Sequence, residues 1–349
     1  MIISQQSNAS ENKLRNVNKY KRDVKNQQLV INDDKNVSNL QFVEDLEVNN
    51  LTIVKCPSIV IQSLPQRVLE LRIYESCLQN VQDIANMRQL TVLDLNFNYI
   101  SELGFLNNLH NITKLYLYAN RIRQLKALEG LQNLQHLNLG SNRISNIQPL
   151  SKLTNLFYLN LGNNQIRDIS ALRLMTDLQE LYLLNNQIGH IKALSYLTNL
   201  KWLDLSNNQI TSVPELKSMC QLGYLNVSCN KLLCLSPINS LTQLKKLHIA
   251  TNFIMNMSPV KHMDLMNDVE RETQLEPTKE LVLENQHIEI VYRTFDQLDG
   301  VQTNFKKLKK IMKINTLKIS SLLSQLNQSA IQFSVNVSEL FTMLGLASQ

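Results

Sequence analysis

The sequence has few glycines and prolines, eight and seven among 349 residues. Because most of the glycines are far apart, no glycine-rich loop is available to cradle the phosphates of a nucleotide. No stretch of about 18 apolar residues is present, which argues against a membrane-spanning helix. Residues 1–27 are polar and lack the apolar run of a secretory signal. We therefore expect a cytoplasmic protein without a bound cofactor, and a nuclear location is also compatible with these features.

Cysteine and histidine are scarce as well, at five and six residues. Cys229 and Cys234 lie near each other, but the scattered histidines leave no zinc-binding spacing, so we interpret the cysteines as reduced structural or surface thiols. His136 and His248 would need a nucleophile or an orienting carboxylate within reach to act as a base. We interpret them as hydrogen-bonding surface histidines. The sequence thus indicates no metal site, no catalytic site and no enzymatic activity.

What the chain does contain is an asparagine that recurs at every twenty-second position. The members of this series are Asn98, Asn120, Asn142, Asn164, Asn186, Asn208, Asn230 and Asn252. The positions 8, 5 and 3 before each asparagine and 2, 5, 8 and 11 after it are Leu, Ile, Val or Met in all 56 cases. A repeat of this length predicts a solenoid of stacked units.

The spacing within each unit predicts a short strand. Around Asn142, Leu137 and Leu139 are separated by one residue, as the inward side chains of a strand are. A coiled coil would need a seven-residue repeat, and the period of the asparagines is not a multiple of seven. An asparagine amide has two donor hydrogens and an acceptor oxygen, enough to bond backbone groups that a strand leaves unpaired in a turn. We therefore expect the asparagines to form a buried structural ladder.

This pattern resembles the leucine-rich repeat proteins, whose motif is L-x-x-L-x-L-x-x-N/C-x-L. The 22-residue length, and the Ile that follows most of the asparagines by two positions, are most similar to the intracellular subclass typified by a regulatory subunit of protein phosphatase 1. The resemblance implies an α/β solenoid. It would be a right-handed superhelix with a parallel concave β-sheet and a mostly irregular or 3-10 convex side.

Less regular units extend the series in both directions. Upstream, strand-like residues lead to Asp34, Cys56 and Ser76 at the ladder position, and downstream a further unit reaches Gln286 after an insertion at about 261–278. Terminal repeats are often atypical because they must present a polar outer face. The predicted divisions are a polar segment, disordered or partly helical, over 1–27, a solenoid of about twelve units over 28–290, and a helical tail over 291–349.

The concave face is where we expect a partner to bind. Strand alternation exposes the residues six, four and two positions before each ladder residue, and the residue just before it. Eight of the 20 aromatic residues, including the only tryptophan, lie in these positions. Aromatic side chains are frequent at interface hot spots, although they also suit strands in general. The candidate partner-binding residues are Tyr74, Asp94, Phe97, Tyr116, Tyr118, Tyr158, Glu180, Tyr182, Trp202, Asp204, Tyr224, Lys246 and His248.

These residues predict a non-enzymatic scaffold or adaptor that binds another protein. Charges of both signs on the face argue against a nucleic-acid groove, which would be uniformly basic. The resemblance to the phosphatase regulator implies a grip by acidic and aromatic side chains. The residues that match this description in type are Asp94, Glu180, Trp202, Asp204 and Tyr224. A phosphatase-regulatory role and a cytoskeletal one are both consistent with the pattern.

The tail has a different pattern, with apolar residues at heptad spacing from Leu298 to Leu344 and a four-residue step before Ala330. This spacing is consistent with a coiled-coil dimer over 298–344 and equally with a helical hairpin that caps the repeats. Six lysines in the tail account for the net charge of +6: Lys306, Lys307, Lys309, Lys310, Lys313 and Lys318. A basic amphipathic helix can bind anionic surfaces, so the alternative function is association with a membrane or nucleic acid through the tail. The same lysines would also suit a solvated helix face.

Overall fold

The computed structural model describes residues 16–34, 40–59, 61 and 64–254. These residues form one sheet of eleven strands, in which the order in space is the order along the chain. All ten pairings between neighbouring strands are parallel. The strands are β1 (Gln28–Asn32), β2 (Asn50–Val54), β3 (Glu70–Tyr74), β4 (Val92–Asp94), β5 (Lys114–Tyr116), β6 (His136–Asn138), β7 (Tyr158–Asn160), β8 (Glu180–Tyr182), β9 (Trp202–Asp204), β10 (Tyr224–Asn226) and β11 (Lys246–His248).

The register of the sheet follows the sequence repeat. Leu137 in β6 pairs with Leu159 in β7, which is the equivalent residue of the next repeat. The same offset in sequence holds for the other strand pairs except one. Between β2 and β3 the offset is shorter by two positions, since Leu51 pairs with Leu71. The predicted parallel sheet is therefore confirmed, with one shorter unit near its beginning.

Short 3-10 helices return the chain across the other side of the sheet. They cover Gln41–Asp45, Gln82–Asn86, Gly104–Asn108, Lys126–Leu128, Gln148–Lys152, Ser170–Leu174, Lys192–Tyr196, Pro214–Ser218 and Ser236–Ser240. Neighbouring strands lie about 4.8 Å apart, whereas an α-helix with its side chains is about 10 Å wide. A repeat as short as this one leaves room only for a brief segment of the narrower 3-10 form.

The core lies between the sheet and these return segments. In one typical unit, all seven repeat positions are buried aliphatic residues: Leu134, Leu137, Leu139, Ile144, Ile147, Leu150 and Leu153. Full burial of such a side chain contributes about 1.5–3 kcal/mol. Because each unit covers the apolar face of the next, the units stabilise one another in a stack.

The asparagines join the units at the turn that follows each strand. The Asn164 Nδ2 group donates to the carbonyls of Leu139 at 3.0 Å, Leu161 at 3.0 Å and Gly162 at 3.2 Å. Its Oδ1 atom accepts from the backbone N–H of Ile144 at 2.9 Å. Two of these partners belong to the preceding unit, so each amide ties two turns together. Seven of the eight asparagines are buried, and Asn252 at the end of the described sheet is half-buried.

The turn also places one residue per unit in the left-handed backbone region, directly before the ladder residue. From Lys55 to Thr251 these residues have φ between 52° and 57°. Asparagine tolerates this conformation better than most residues, and three consecutive units have it there. Their side chains form a second, exposed ladder, in which Asn207 donates to Asn185 and Asn185 donates to Asn163 at 2.5 Å.

The polar N-terminal segment supplies a cap for the first strand. A helical turn at residues 16–20 ends with Tyr20, which is buried and stacks on Phe42 with ring centroids 5.1 Å apart. The Tyr20 hydroxyl and the Lys19 ammonium both donate to Asp34, the first ladder-position residue. Burial, together with the bond to Asp34, raises the pKa of Tyr20 to about 12.

The remaining predictions about organisation lie outside the described residues. These are the unit at Gln286 with its preceding insertion at 261–278, the tail over 291–349 and the dimer contact over 298–344. Within the described part of the chain, no helix is both long and apolar enough to cross a bilayer.

Candidate functional site: an aromatic row on the sheet face

The side of the sheet that faces away from the core is called here the sheet face. Alternation along each strand places its middle residue in the core and its two flanking residues on this face. Glu180 and Tyr182 of β8 therefore share the face, while Leu181 between them is buried. The same holds for Trp202 and Asp204 of β9. Side chains six and four positions before a ladder asparagine thus form two parallel rows across the sheet.

Seven rings from these rows make one continuous line across β5 to β11, one ring from each strand. The aromatic row consists of Tyr116, His136, Tyr158, Tyr182, Trp202, Tyr224 and His248. Consecutive ring centroids along it are separated by 4.9, 3.8, 5.5, 6.2, 3.6 and 5.4 Å. The sheet therefore arranges rings from seven successive repeats into a single surface.

Two pairs in the aromatic row are stacked face to face. The rings of His136 and Tyr158 are 3.8 Å apart with 3° between their planes. The rings of Trp202 and Tyr224 are 3.6 Å apart with 4° between their planes. Both pairs join residues directly opposite in the register. The register of the sheet therefore holds these rings against each other, and each ring limits the movement of its neighbour.

The rings are half-buried, which differs from the expectation that these side chains point into solvent. Each ring covers part of its neighbour because strands about 4.8 Å apart hold adjacent rings within contact distance. Phe97, which precedes a ladder residue and lies outside the row, is 50% exposed.

His136 differs from the hydrogen-bonding surface histidine that the sequence suggested. It is half-buried between Tyr116, at 4.9 Å, and Tyr158. This burial, with a smaller effect of the nearby Lys114 ammonium, lowers the pKa of His136 from 6.5 to about 4. Its imidazole is therefore neutral at pH 7 and acts as an aromatic ring. Burial also raises the pKa of the Tyr116 and Tyr158 hydroxyls, so both remain protonated.

Two carboxylates lie beside the rings at the middle of the row. Glu180 is opposite Trp202 in the register, and Asp204 is opposite Tyr182. The Tyr182 hydroxyl donates to Glu180 at 3.2 Å. Burial first, and then the Glu180 carboxylate, holds the pKa of Tyr182 far above its usual value of 10. We name Glu180, Tyr182, Trp202 and Asp204 the β8–β9 quartet.

The charges nearer the start of the sheet have partners among themselves. Arg72 pairs with Glu70 at 2.7 Å, and Lys55 pairs with Glu75 at 3.7 Å. Asp94 is half-buried on β4, and burial raises the pKa of its carboxyl, with the bond from the Asn96 backbone N–H acting in the opposite sense.

The other predicted residues lie off the aromatic row. Tyr74 is half-buried at the end of β3, and Lys246 is exposed on β11. Phe97 and Tyr118 form a separate edge-to-face pair with centroids 5.3 Å apart. The Tyr118 ring extends over Gly140, where a Cβ atom would come within 2.9 Å of it. Because Gly140 has no side chain, the Tyr118 ring can occupy this space.

Sequence reasoning missed two rings that belong to the same surface. His136 lies within the row, although the sequence indicated only a hydrogen-bonding surface histidine at this position. Phe157 is 37% exposed and contacts His136 edge-on at 6.1 Å. Phe157 immediately precedes β7, where period-two alternation makes no prediction. His136 and Tyr158 occupy the same position of successive repeats, and this placement could have predicted that the His136 ring belongs to the row.

A polar groove borders Phe157 on the side of the sheet where the strands begin. Its amides already bond to the protein: Asn155 donates to the Gln132 carbonyl at 2.9 Å, and Asn199 donates to the Thr176 carbonyl at 3.0 Å. The groove is therefore part of the polar packing between units.

The described residues contain no group of three or more His, Cys, Asp or Glu side chains placed to hold a metal ion. Ser206 Oγ donates to Asp204 at 2.6 Å, and Ser228 Oγ donates to Asn226 at 2.6 Å, so these hydroxyls stabilise turns. Cys56 is a buried free thiol at a ladder position, and the other four cysteines are exposed free thiols.

A family model for leucine-rich repeats, in the form of two copies, matches the chain in five overlapping or adjoining places. They are residues 88–130, 132–174, 154–196, 176–218 and 198–240. A search of the curated proteins gives no match.

Several solved structures are similar to the chain. Internalin C2 from Listeria monocytogenes is 32% identical over 54% of this chain and 84% of its own, with a TM-score of 0.52. An internalin, inlF, from the same organism is 24% identical over 70% of this chain and 85% of its own, with a TM-score of 0.55. The ectodomain of the Arabidopsis thaliana receptor kinase GASSHO1/SCHENGEN3 is 21% identical over 65% of this chain and 33% of its own, with a TM-score of 0.54. The last two likenesses concern the fold alone.

Proposed function

The chain belongs to the leucine-rich repeat proteins, and on that premise we propose that it is a non-enzymatic scaffold that binds a partner protein on its sheet face. The observation that carries the proposal is the aromatic row. Seven rings on seven consecutive strands give a contiguous surface, and five of them are Tyr or Trp, which are enriched at interface hot spots. Stacking holds the rings in place before a partner arrives, which reduces the entropy lost on binding.

The fold is one that is seen with bound partners. The Arabidopsis receptor ectodomain was solved in complex with CASPARIAN STRIP INTEGRITY FACTOR 2. That likeness supports the fold as a binding platform. The kind of partner that this chain binds has to be inferred from the side chains of this chain.

A phosphatase-regulating adaptor and a cytoskeletal adaptor are the two narrower forms of this proposal. What supports the first is the mixture of rings and carboxylates in the β8–β9 quartet, which matches in type the acidic and aromatic grip implied by the phosphatase-regulator resemblance. The alternative function, association with a membrane or nucleic acid, depends on tail lysines that lie outside the described residues.

The test is affinity purification with quantitative mass spectrometry on the full chain. The variant Tyr182→Ala/Trp202→Ala removes two central rings from the sheet face. The matched control is Leu174→Ala/Tyr196→Ala, which removes two apolar side chains that are 52% and 55% exposed on the 3-10 return segments. We expect a partner that the wild type and the control recover and the ring variant does not. A partner recovered equally by all three proteins, with unchanged thermal unfolding, would assign binding to another surface.

A further inference from the structure

The β8–β9 quartet places carboxylates and rings in alternation. Glu180 and Tyr182 are two residues apart on β8, and they face Trp202 and Asp204 on β9. Neighbouring strands are about 4.8 Å apart, and residues two apart on a strand are about 6.6 Å apart. Each carboxylate therefore has a ring beside it along the strand and another across the strands. The rings of Tyr182 and Trp202 are tilted at 37° and are not stacked, with centroids 6.2 Å apart.

Within the two rows of the sheet face, the charge around the quartet is of one sign. A cation just outside the rows, Lys201, directly precedes β9 and donates to the Gln179 amide oxygen at 3.0 Å in the polar groove. From β6 to β10, a stretch that the structure describes completely, the two rows contain two charged side chains, Glu180 and Asp204. The nearest cations in the two rows are Lys114 on β5 and Lys246 on β11, at the two ends of the aromatic row. Within the described residues, the ion pairs are formed by other carboxylates.

The contacts that the two carboxylates already have leave room for further donors. Glu180 accepts from the Tyr182 hydroxyl, and Asp204 accepts from the Ser206 hydroxyl and backbone N–H at 2.6 and 2.9 Å. A carboxylate offers about four lone-pair positions. Both groups are half-buried, so a cation that reached them would meet their charge with less screening than in open solvent.

We propose that the β8–β9 quartet recognises a cationic side chain of the partner, preferably an arginine, and this inference rests on the proposed function of the sheet face. Arginine combines the two contacts that the quartet offers, since its guanidinium stacks on aromatic rings and donates in a plane to carboxylates. The net negative charge of the centre would also exclude partners that present an acidic residue there. The partner is thus a basic protein segment rather than a neutral or acidic one.

The experiment is a selection of phage-displayed random decapeptides on the full chain, followed by fluorescence anisotropy with the best synthetic peptide. In parallel, the peptide is synthesised with citrulline at each arginine, which keeps the shape and removes the charge. The test variant is Glu180→Gln/Asp204→Asn. The matched control is Asp83→Asn/Glu102→Gln, which removes two exposed carboxylates elsewhere on the chain.

The proposal expects enrichment of arginine in the selected peptides. It expects citrulline and the quartet variant each to weaken binding by about tenfold or more, and the control to leave it within about twofold. Selected peptides without basic residues, or equal affinity for the citrulline peptide, would overturn it. The variant Tyr182→Ala/Trp202→Ala separates this failure from that of the proposed function. If the selected peptides are neutral and bind the wild type but not the ring variant, only the cationic site is wrong. If the peptides bind the ring variant and the quartet variant as well as the wild type, both proposals are overturned.

Discussion

The indole ring of Trp202 lies 3.6 Å from the phenol ring of Tyr224, centroid to centroid, with only 4° between the two planes. These residues occupy the same position of successive repeats and are directly opposite in the parallel register of β9 and β10. The repeat length thus sets the stack, because it returns the same position of the unit to the neighbouring strand. Since Trp202 is the only tryptophan of the chain, its spectrum reports on this contact.

Replacing Tyr224 with alanine should shift the fluorescence emission of Trp202 to longer wavelength. The substitution removes the ring that covers one face of the indole and lets water reach it. A control is Tyr99→Ala, because Tyr99 stacks on Arg121 at 4.2 Å and lies outside the aromatic row. An emission maximum that stays unchanged in Tyr224→Ala would show that the two rings are not stacked in solution.

His136 should titrate well below an ordinary histidine. Its pKa is lowered from 6.5 to about 4, first because burial between two tyrosines disfavours the charged form and second because Lys114 is nearby. The measurement is a two-dimensional NMR titration of the imidazole carbon-bound protons, with assignment by His136→Phe. A resonance that titrates near pH 6.5 would contradict the stacked arrangement.

The same shift makes a prediction about stability. Between about pH 6.5 and 4 the unfolded chain binds a proton at His136 that the folded chain does not, so the free energy of unfolding falls as the pH falls through this window. Replacing His136 with phenylalanine keeps a ring and removes the proton. The difference in melting temperature between the variant and the wild type should therefore grow as the pH is lowered from 7 to 4. A constant difference across this range would refute the assignment.

Replacing Asn164 with alanine should destabilise the protein strongly. The change leaves the Ile144 N–H without its acceptor. The three carbonyls keep other donors, which are the Asn142 amide for Leu139, the Asn186 amide for Leu161 and the Ser141 N–H for Gly162. One buried polar group without a partner costs about 1–3 kcal/mol, and water that enters the gap would recover part of this. We expect a loss of about 2 kcal/mol in urea unfolding.

The matched control for this change is Asn155→Ala. Asn155 is exposed and makes one bond, to the Gln132 carbonyl at 2.9 Å, for which water can substitute. Its loss should cost about 1 kcal/mol or less. Similar losses in the two variants would mean that the ladder contributes no more than an ordinary surface hydrogen bond.

Two glycine-to-alanine changes should have opposite effects. At Gly104 in a 3-10 helix, nothing lies within 4 Å of the added Cβ atom. Lower entropy of the unfolded chain should then stabilise the protein by about 0.4–1 kcal/mol. At Gly140 the added atom would come within 2.9 Å of the Tyr118 ring, which must turn and leave Phe97, so we expect a loss of about 1 kcal/mol. Thermal unfolding of both variants decides the point, and a stabilising Gly140→Ala would contradict the packing of Tyr118 described above.

The sequence was sufficient to predict the repeated units and the side of each strand that faces the core. The regular placement of Asn142 between aliphatic residues predicts both the strand and the ladder, because their spacing reflects the geometry of one repeated unit. The sequence also placed Trp202 and Tyr224 on the same face. It did not predict that they stack, since this depends on side-chain rotamers that the spacing does not determine.

Other features followed physical factors that the repeat does not encode. The lowered pKa of His136 depends on the rings on both sides of it, and these come from other strands. The position of Phe157 on this surface was not predicted, because Phe157 lies just before its strand, where the turn sets the direction of the side chain. The shorter offset between β2 and β3 occurs where Cys56 and Ser76 replace the ladder asparagine.

The most direct test of binding on the sheet face uses fluorine NMR with 5-fluorotryptophan, which labels position 202 alone. A partner purified by affinity is titrated into the labelled chain, and binding is measured separately by calorimetry. If the aromatic row is the binding surface, the single fluorine resonance should shift or broaden in proportion to the bound fraction. A resonance that remains unchanged at saturation would contradict binding on the aromatic row and place the partner on another surface.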